Sequence, residues 1–253
     1  MHIQRGAWAE INLDAVAHNV QMAKANLKPT TKLCAVVKAD AYGHGAVRVA
    51  QEAARNGADF FAVALLQEGV KLREAGIETP ILVLGSMLPE VAEICVRYDI
   101  SHAVFDEERL YALNAAALKL HTKAKIHIKI DTGMHRIGVH VRDAGRFAKL
   151  AASLPGIYID VVFSHFSTAD ADDKQYAAYQ FERFQEALRL IEAEGVHIPI
   201  RHIANSAALT ELQEYQLDMV RQGITLYGLH PAHMIDCYKD FEPVMTVKTQ
   251  GAF

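Results

Sequence analysis

The chain has 253 residues, 51% of them hydrophobic and 22% charged, enough for one large domain with a substantial core. Its net charge of −4 comes from 26 Lys and Arg against 30 Asp and Glu, with no basic block, which argues against a nucleic-acid partner. The longest apolar run, Phe60 to Leu66, is too short to cross a bilayer, so no membrane partner is expected either. Three scattered cysteines, Cys34, Cys95 and Cys237, form neither a disulfide framework nor a paired metal spacing. Together with a start, MHIQRGAWAEIN, that lacks a signal-peptide core, this predicts a cytoplasmic protein.

Ala7 to Leu13 alternates like a strand, and residues 11–27 carry a helical pattern with Asn12 as cap and Val16, Val20 and Ala23 facing inward. Eight β-rich apolar segments then recur at 33–37, 60–65, 81–84, 102–105, 126–130, 159–164, 200–204 and 218–221. Helical faces lie between several of them, such as Leu110, Leu113, Ala117 and Leu120, or Phe184, Leu188 and Ile191. Pro89 opens one helix, and Gly57, Gly76 and Gly195 close others. Continuous apolar strands alternating with helices predict a parallel sheet covered on its outer face. Eight units favour an α/β fold of the (β/α)8 TIM-barrel type. An open doubly wound sheet is the alternative, but YGHG at 42–45 is too short for a dinucleotide fingerprint. Residues 243–249 alternate like a further strand after the eighth unit and need a partner, for which Ala7 to Leu13 is the candidate.

In such a barrel, chemistry belongs to the C-terminal ends of the strands. Those ends carry Lys38; Lys129, Asp131 and Arg136; His165; His202, Asn205 and Ser206; then Arg221 and Gly223. A lysine held among cations and apolar walls can lose its proton and form a Schiff base, although one alone is ordinarily a solvated strand end. Ser206 and the amides around Gly223 suit an anion, with Tyr42 as a further donor; a plain strand-to-helix turn is the other reading of Gly223. Arg221 interrupts an apolar strand and needs a buried partner, either a cofactor nitrogen or a carboxylate such as Asp218. His165 and His202 invite a metal with Asp170 nearby, but the ligand set falls short, and packing or hydrogen bonding is the preferred role. Lys129 and Asp131 form either a network that orients Arg136 or the solvated lip of a loop built on Gly133 and Gly138.

VVKADAYGHG around Lys38 resembles the cofactor-lysine motif of the alanine racemases. KIDTGMHRIG at 129–138, SHFSTAD at 164–170, HIANSAA at 202–208 and VRQGITLYG at 220–228 resemble the family's other signatures, in its order. The resemblance implies a barrel that binds pyridoxal 5'-phosphate, followed by a β-domain, in a homodimer that interconverts L- and D-alanine for peptidoglycan supply. It divides the chain into a barrel over 1–240 and the beginning of a shortened β-domain over 241–253. Lys38 is then the cofactor-bearing lysine and the base on one face of Cα. Tyr42, Asn205, Ser206, Gly223 and Ile224 sit at the cofactor, the backbone amides of Gly223 and Ile224 binding its phosphate. Arg221 meets the pyridine nitrogen, held by His202. Arg136 approaches the phenolic oxygen, steadied by Lys129, which is carbamylated in some members. His165 supports the base of the opposite face, a tyrosine that the family takes from the β-domain and that has no counterpart in this sequence. On that ground the chain alone is expected to be a weak racemase. A non-catalytic pyridoxal-phosphate carrier, a serine racemase and an amino-acid decarboxylase are the competing readings; Arg221 argues against the last.

Overall fold

A computed structural model describes residues 6–231 and 238–250. Cys237 and the terminal residues 1–5 and 251–253, on which part of the reading above falls, lie outside the described residues. The chain opens with β1 (Ala7–Ile11) and α1 (Leu13–Ala25). The Asn12 side chain accepts the N–H groups of Asp14 and Ala15, as expected of a cap, and such a cap is worth about 1 kcal/mol. Val16, Val20 and Ala23 are fully buried on the inner face of α1.

All eight expected barrel strands form: β2 (Lys32–Val36), β3 (Phe60–Val63), β4 (Ile81–Val83), β5 (Ile100–Val104), β6 (Ala124–Asp131), β8 (Ile157–Phe163), β9 (Ile200–His202) and β10 (Met219–Gln222). A two-residue strand, β7 (Val139–His140), adds to the end of β6. The expected bounds at 60–65 and 200–204 ran two residues long because the chain leaves the sheet there to form the site. The strands are parallel in the order β10-β2-β3-β4-β5-β6-β8-β9. Two backbone bonds, Asp218 N–H to Arg201 C=O and Arg221 N–H to Ala204 C=O (both 3.1 Å), join the outer strands and close the ring. The open-sheet alternative is thereby excluded.

Around the ring run α3 (Ala46–Arg55), α4 (Leu66–Glu74), α5 (Ala92–Arg97), α6 (Glu107–Lys119), α7 (Ala144–Ser153), α8 (Gln175–Ala193) and α9 (Ser206–Glu211), after a short turn α2 (Lys38–Tyr42). Period-2 alternation sorts the strands. Leu33, Ala35, Phe61 and Val63 pack outward against helix residues such as Val49 and Leu72. Cys34, Val36, Phe60, Ala62 and Met219 form an inner cluster that contains no helix residue, and so do Ala103, Val161 and Phe163. Each Leu or Phe fully buried in this way contributes roughly 1.5–3 kcal/mol.

The segment after the barrel returns along α1. Asn19, fully buried, donates to Leu226 C=O and Glu242 C=O and accepts the Glu242 N–H. The chain then forms β11 (Met245–Thr249), which pairs antiparallel with β1 from Ala7↔Thr249 to Ile11↔Met245. Strand 245–249 is therefore paired, by the N-terminal segment identified from its alternation.

Candidate active site

A cleft of about 540 Å³ opens at the C-terminal ends of the strands. That volume suits a cofactor with a small substrate. Its walls carry Lys38, Tyr42, Lys129, Arg136, His165, Asn205, Ser206, Arg221, Gly223 and Ile224, residues separated by up to 186 positions in sequence. Asp131 and His202 do not line it.

Lys38 follows β2, and the backbone then turns in an unusual way. Ala39, Asp40, Ala41 and Tyr42 all have φ between +52° and +56°, a left-handed helical turn made without glycine. Each such residue costs roughly 1–2 kcal/mol, so the surroundings must hold the turn in place. The turn presents both the Lys38 amine and the Tyr42 hydroxyl to the cleft, with the amine 5.7 Å from the centre of the Tyr42 ring. Burial lowers the Lys38 pKa, and the neighbouring Arg136 and Arg221 cations lower it further, against an opposing effect of Glu68. A larger neutral fraction makes the amine a better nucleophile and base.

Across from Lys38, the Ser206 hydroxyl accepts the Gly223 N–H (2.8 Å) at the start of α9, which the Asn205 side chain caps through Ala208 N–H. A Cβ on Gly223 would sit 3.5 Å from the Tyr42 hydroxyl and 3.7 Å from that of Ser206. Two hydroxyls and a bare backbone thus converge on one small space, which Ile224 borders. Hydroxyls and main-chain N–H groups in this arrangement suit a phosphate-like anion.

Arg221, 4% exposed on β10, is the centre of the floor. Its Nη2 donates to Ser164 C=O (3.0 Å), Ile203 C=O (3.1 Å) and His165 Nδ1 (2.8 Å), and its Nη1 donates to His202 Nδ1. Asp218, the alternative partner, instead pairs with Arg201 at 2.7 Å. Arginine only donates, so both histidines accept at Nδ1 and carry their proton on Nε2. Burial, followed by the Arg221 charge, holds both well below the usual histidine pKa, which keeps them neutral. Burial also brings Arg221 itself down to about 10, so it remains a cation at neutral pH. Its Nε–H is outside these four bonds.

Lys129 is 3% exposed and donates to Ile130 C=O (2.8 Å); burial, then Arg221, lowers its pKa to about 7. Asp131 accepts the N–H groups of Gly133 and His135 and faces the His135 ring at 3.1 Å. It acts as the lip of the loop that carries Arg136, the second of its two readings.

Two residues at the site were not read from the sequence. Phe163 stacks on His202 (centroids 5.0 Å apart, 19° between planes) and lies under the cations of Lys129 (5.5 Å) and Arg221 (5.6 Å). Its signal was the inward alternation Val161, Phe163, His165. Glu68 accepts backbone N–H groups from both Ala39 and Ala64; its signal was an acidic residue at the third position of α4, where helix caps form.

Residues 11–231 match the family model for the alanine racemase N-terminal domain. Among curated proteins, the chain is 45% identical to an alanine racemase of Desulfovibrio desulfuricans, covering 98% of this chain and 67% of the relative. It is 44% identical to one of Halothermothrix orenii, over 98% and 65%. It thus spans about two thirds of the length of these relatives. Among solved structures, the alanine racemase of Clostridium difficile 630 in complex with cycloserine superposes with a TM-score of 0.94 at 37% identity, over 98% of this chain and 69% of the other. The Bacillus anthracis alanine racemase with bound L-Ala-P gives 0.91 at 35% identity, over 98% and 64%. A closed parallel barrel with these side chains at its mouth and agreement along almost the whole chain lead to one conclusion: the chain belongs to the alanine racemase family.

Proposed function

We propose that this chain is the cofactor-binding barrel of an alanine racemase and works on pyridoxal 5'-phosphate held in the cleft. The observation that carries the reading is the convergence of the Tyr42 and Ser206 hydroxyls on Gly223, on the same cleft as Lys38 and Arg221. The residues fit the group: two hydroxyls and amides for its phosphate, an amine of lowered pKa for its aldehyde, and a donor-only cation for its ring nitrogen. When bound, the cofactor withdraws electrons from the substrate Cα and so acidifies the Cα–H bond.

Each residue then has a task. Tyr42, Ser206 and the amides of Gly223 and Ile224 anchor the phosphate, with Asn205 fixing the start of α9. Lys38 carries the cofactor and exchanges a proton at one face of Cα. Arg221, held by four acceptors, would turn its remaining Nε–H toward the ring nitrogen and, being a donor that stays charged, would keep that nitrogen unprotonated. His202 and His165 hold Arg221. Arg136, with Lys129 beside it, faces the phenolic oxygen. Alanine as substrate, the homodimer and D-alanine supply rest on the relatives' names and the family.

Borohydride reduction in the presence of pyridoxal phosphate should fix the cofactor on Lys38, read by peptide mass mapping. Lys38→Ala should abolish that label; equal labelling of the variant at another lysine would overturn the assignment. In heavy water, one alanine enantiomer should exchange its α-hydrogen faster than it converts to the other, since Lys38 is the only base assigned among the described residues. Equal rates would mean a second base serves the opposite face.

A further inference from the structure

Glu68 contributes no atom to the proposed cofactor contacts, yet it touches the backbone beside Lys38. Its Oε2 accepts the N–H groups of Ala64 (2.7 Å) and Leu65 (3.0 Å), which caps α4. That task requires nothing from Oε1. Oε1 reaches across to the Ala39 N–H (2.6 Å), one residue beyond Lys38. The carboxylate therefore ties the end of β3 to the first residue of the left-handed turn.

The turn needs such a tie. Bonds within it, Ala41 N–H to Val37 C=O (2.9 Å) and Gly43 N–H to Ala39 C=O (3.0 Å), define its shape but do not locate it on the barrel rim. Asp40 adds contacts to Ala46 N–H and to Lys71, the latter an exposed ion pair that water screens. A charged acceptor on a backbone donor is stronger and more directional. Glu68 also adds a negative charge near Lys38, opposite in sign to Arg136 and Arg221.

We propose that Glu68 is a positioning residue for Lys38: its carboxylate clamps the strained turn 39–42 to the end of β3 and so sets where the Lys38 amine and the Tyr42 hydroxyl face the cleft. Its importance for catalysis rests on the cofactor reading above; the clamp itself does not.

The test uses the full chain and Glu68→Gln, whose amide can accept at only one of the two places. Two readouts are taken beside thermal unfolding. The first is the pH dependence of Lys38 acetylation by acetic anhydride, followed by peptide mass spectrometry without cofactor. The second is the Kd for pyridoxal phosphate. The half-point for Lys38 should move to lower pH, because an opposing negative charge is gone. The Kd should rise about tenfold, equivalent to about 1.4 kcal/mol. Ala39→Gly in the same background should recover part of that loss, since glycine adopts the left-handed conformation without strain. If Glu68→Gln does not fold, Glu68→Asp carries the test, because a shorter acid can cap α4 but falls short of Ala39. Unchanged Lys38 titration together with an unchanged Kd, whatever the melting temperature does, overturns the proposal. If wild-type cofactor binding ignores Lys38, the functional reading fails, while a shifted Lys38 titration still supports the clamp.

Discussion

Arg221 shows how far a single side chain can organise its neighbours. Replacing it with Met would strip the hydrogen-bond donor from two buried imidazoles and two carbonyls at once. Leaving a buried acceptor unpaired costs about 1–3 kcal/mol, so Arg221→Met should lower stability by roughly 3 kcal/mol or more, measured by urea denaturation. A neutral result would mean the network rearranges freely. Lys129 is the opposite case. Its pKa of about 7 lies far below that of the unfolded chain, about 10.4. The unfolded state therefore binds the extra proton between pH 7 and 10, and stability falls as pH drops through that window. Lys129→Met should thus stabilise the protein at pH 7, by on the order of a few kcal/mol, with the advantage shrinking toward pH 10. Parallel denaturation curves at pH 7 and pH 10 check both the sign and the trend.

At the scale of elements, the site depends on short segments that are held from outside. Gly138 has φ +137°, and a Cβ there would sit 2.5 Å from the Asp131 nitrogen, because β7 folds back tightly on β6. Gly138→Ala should lower the melting temperature by roughly 5–10 °C and loosen the loop bearing Arg136, seen as weaker pyridoxal phosphate binding. An unchanged melting temperature would show that the loop absorbs the methyl group. The α8 residues Tyr176 and Gln180 secure the same region. Tyr176 donates to Gly133 C=O, while Gln180 accepts from Ser167 and donates to His165 C=O. Helix faces, the Asn12 cap and the existence of each strand were legible, since each follows from a local period or a capping side chain, whereas the strand ends at 63 and 202 were not. Nor was the left-handed turn. Ala39, Asp40, Ala41 and Tyr42 carry no conformational signal for positive φ, and their geometry is held by contacts from distant elements, among them Glu68 on Ala39 and Tyr227 against Tyr42.

At the scale of the whole molecule, the barrel buries neutral imidazole on both faces of its strands: His127 and His202 face the interior, while His102 shares the outward face of Val83 and Ile126. Burial lowers His102 to about 4 and His127 to about 3, and it holds His165 and His202 well below the ordinary value. Folded pKa values below the unfolded one, about 6.5, mean that the unfolded chain binds protons first as the solution is acidified. The stability these groups contribute is intact above pH 6.5 and is lost as pH falls toward 4. Each adds a slope of about 1.4 kcal/mol per pH unit. Urea midpoints should therefore fall steeply between pH 6 and 4, where several histidines add to the acid side of the slope that Lys129 alone imposes down to pH 7. A flat profile would mean that the histidines take up protons without opening the barrel.

Alternation of period 2 and period 3.6 determined from sequence alone that eight parallel strands alternate with helices, because each element must bury one face against the next layer. The identity of the rim residues was equally legible, since the fold places its chemistry at strand ends. Which acceptors surround Arg221, that Asp218 belongs to Arg201, and that Asp131, itself outside the cleft, braces the loop bearing Arg136 were decided only in three dimensions. Some of those pairings join residues on adjacent strands and others span a single loop, and sequence spacing carries no information on which direction a side chain takes to find a partner. The closing of the ring between β9 and β10 belongs to the same class, a bond between distant backbones that exists only after the barrel has brought them together, whereas the pairing of β1 with β11 was signalled by the alternation of both segments.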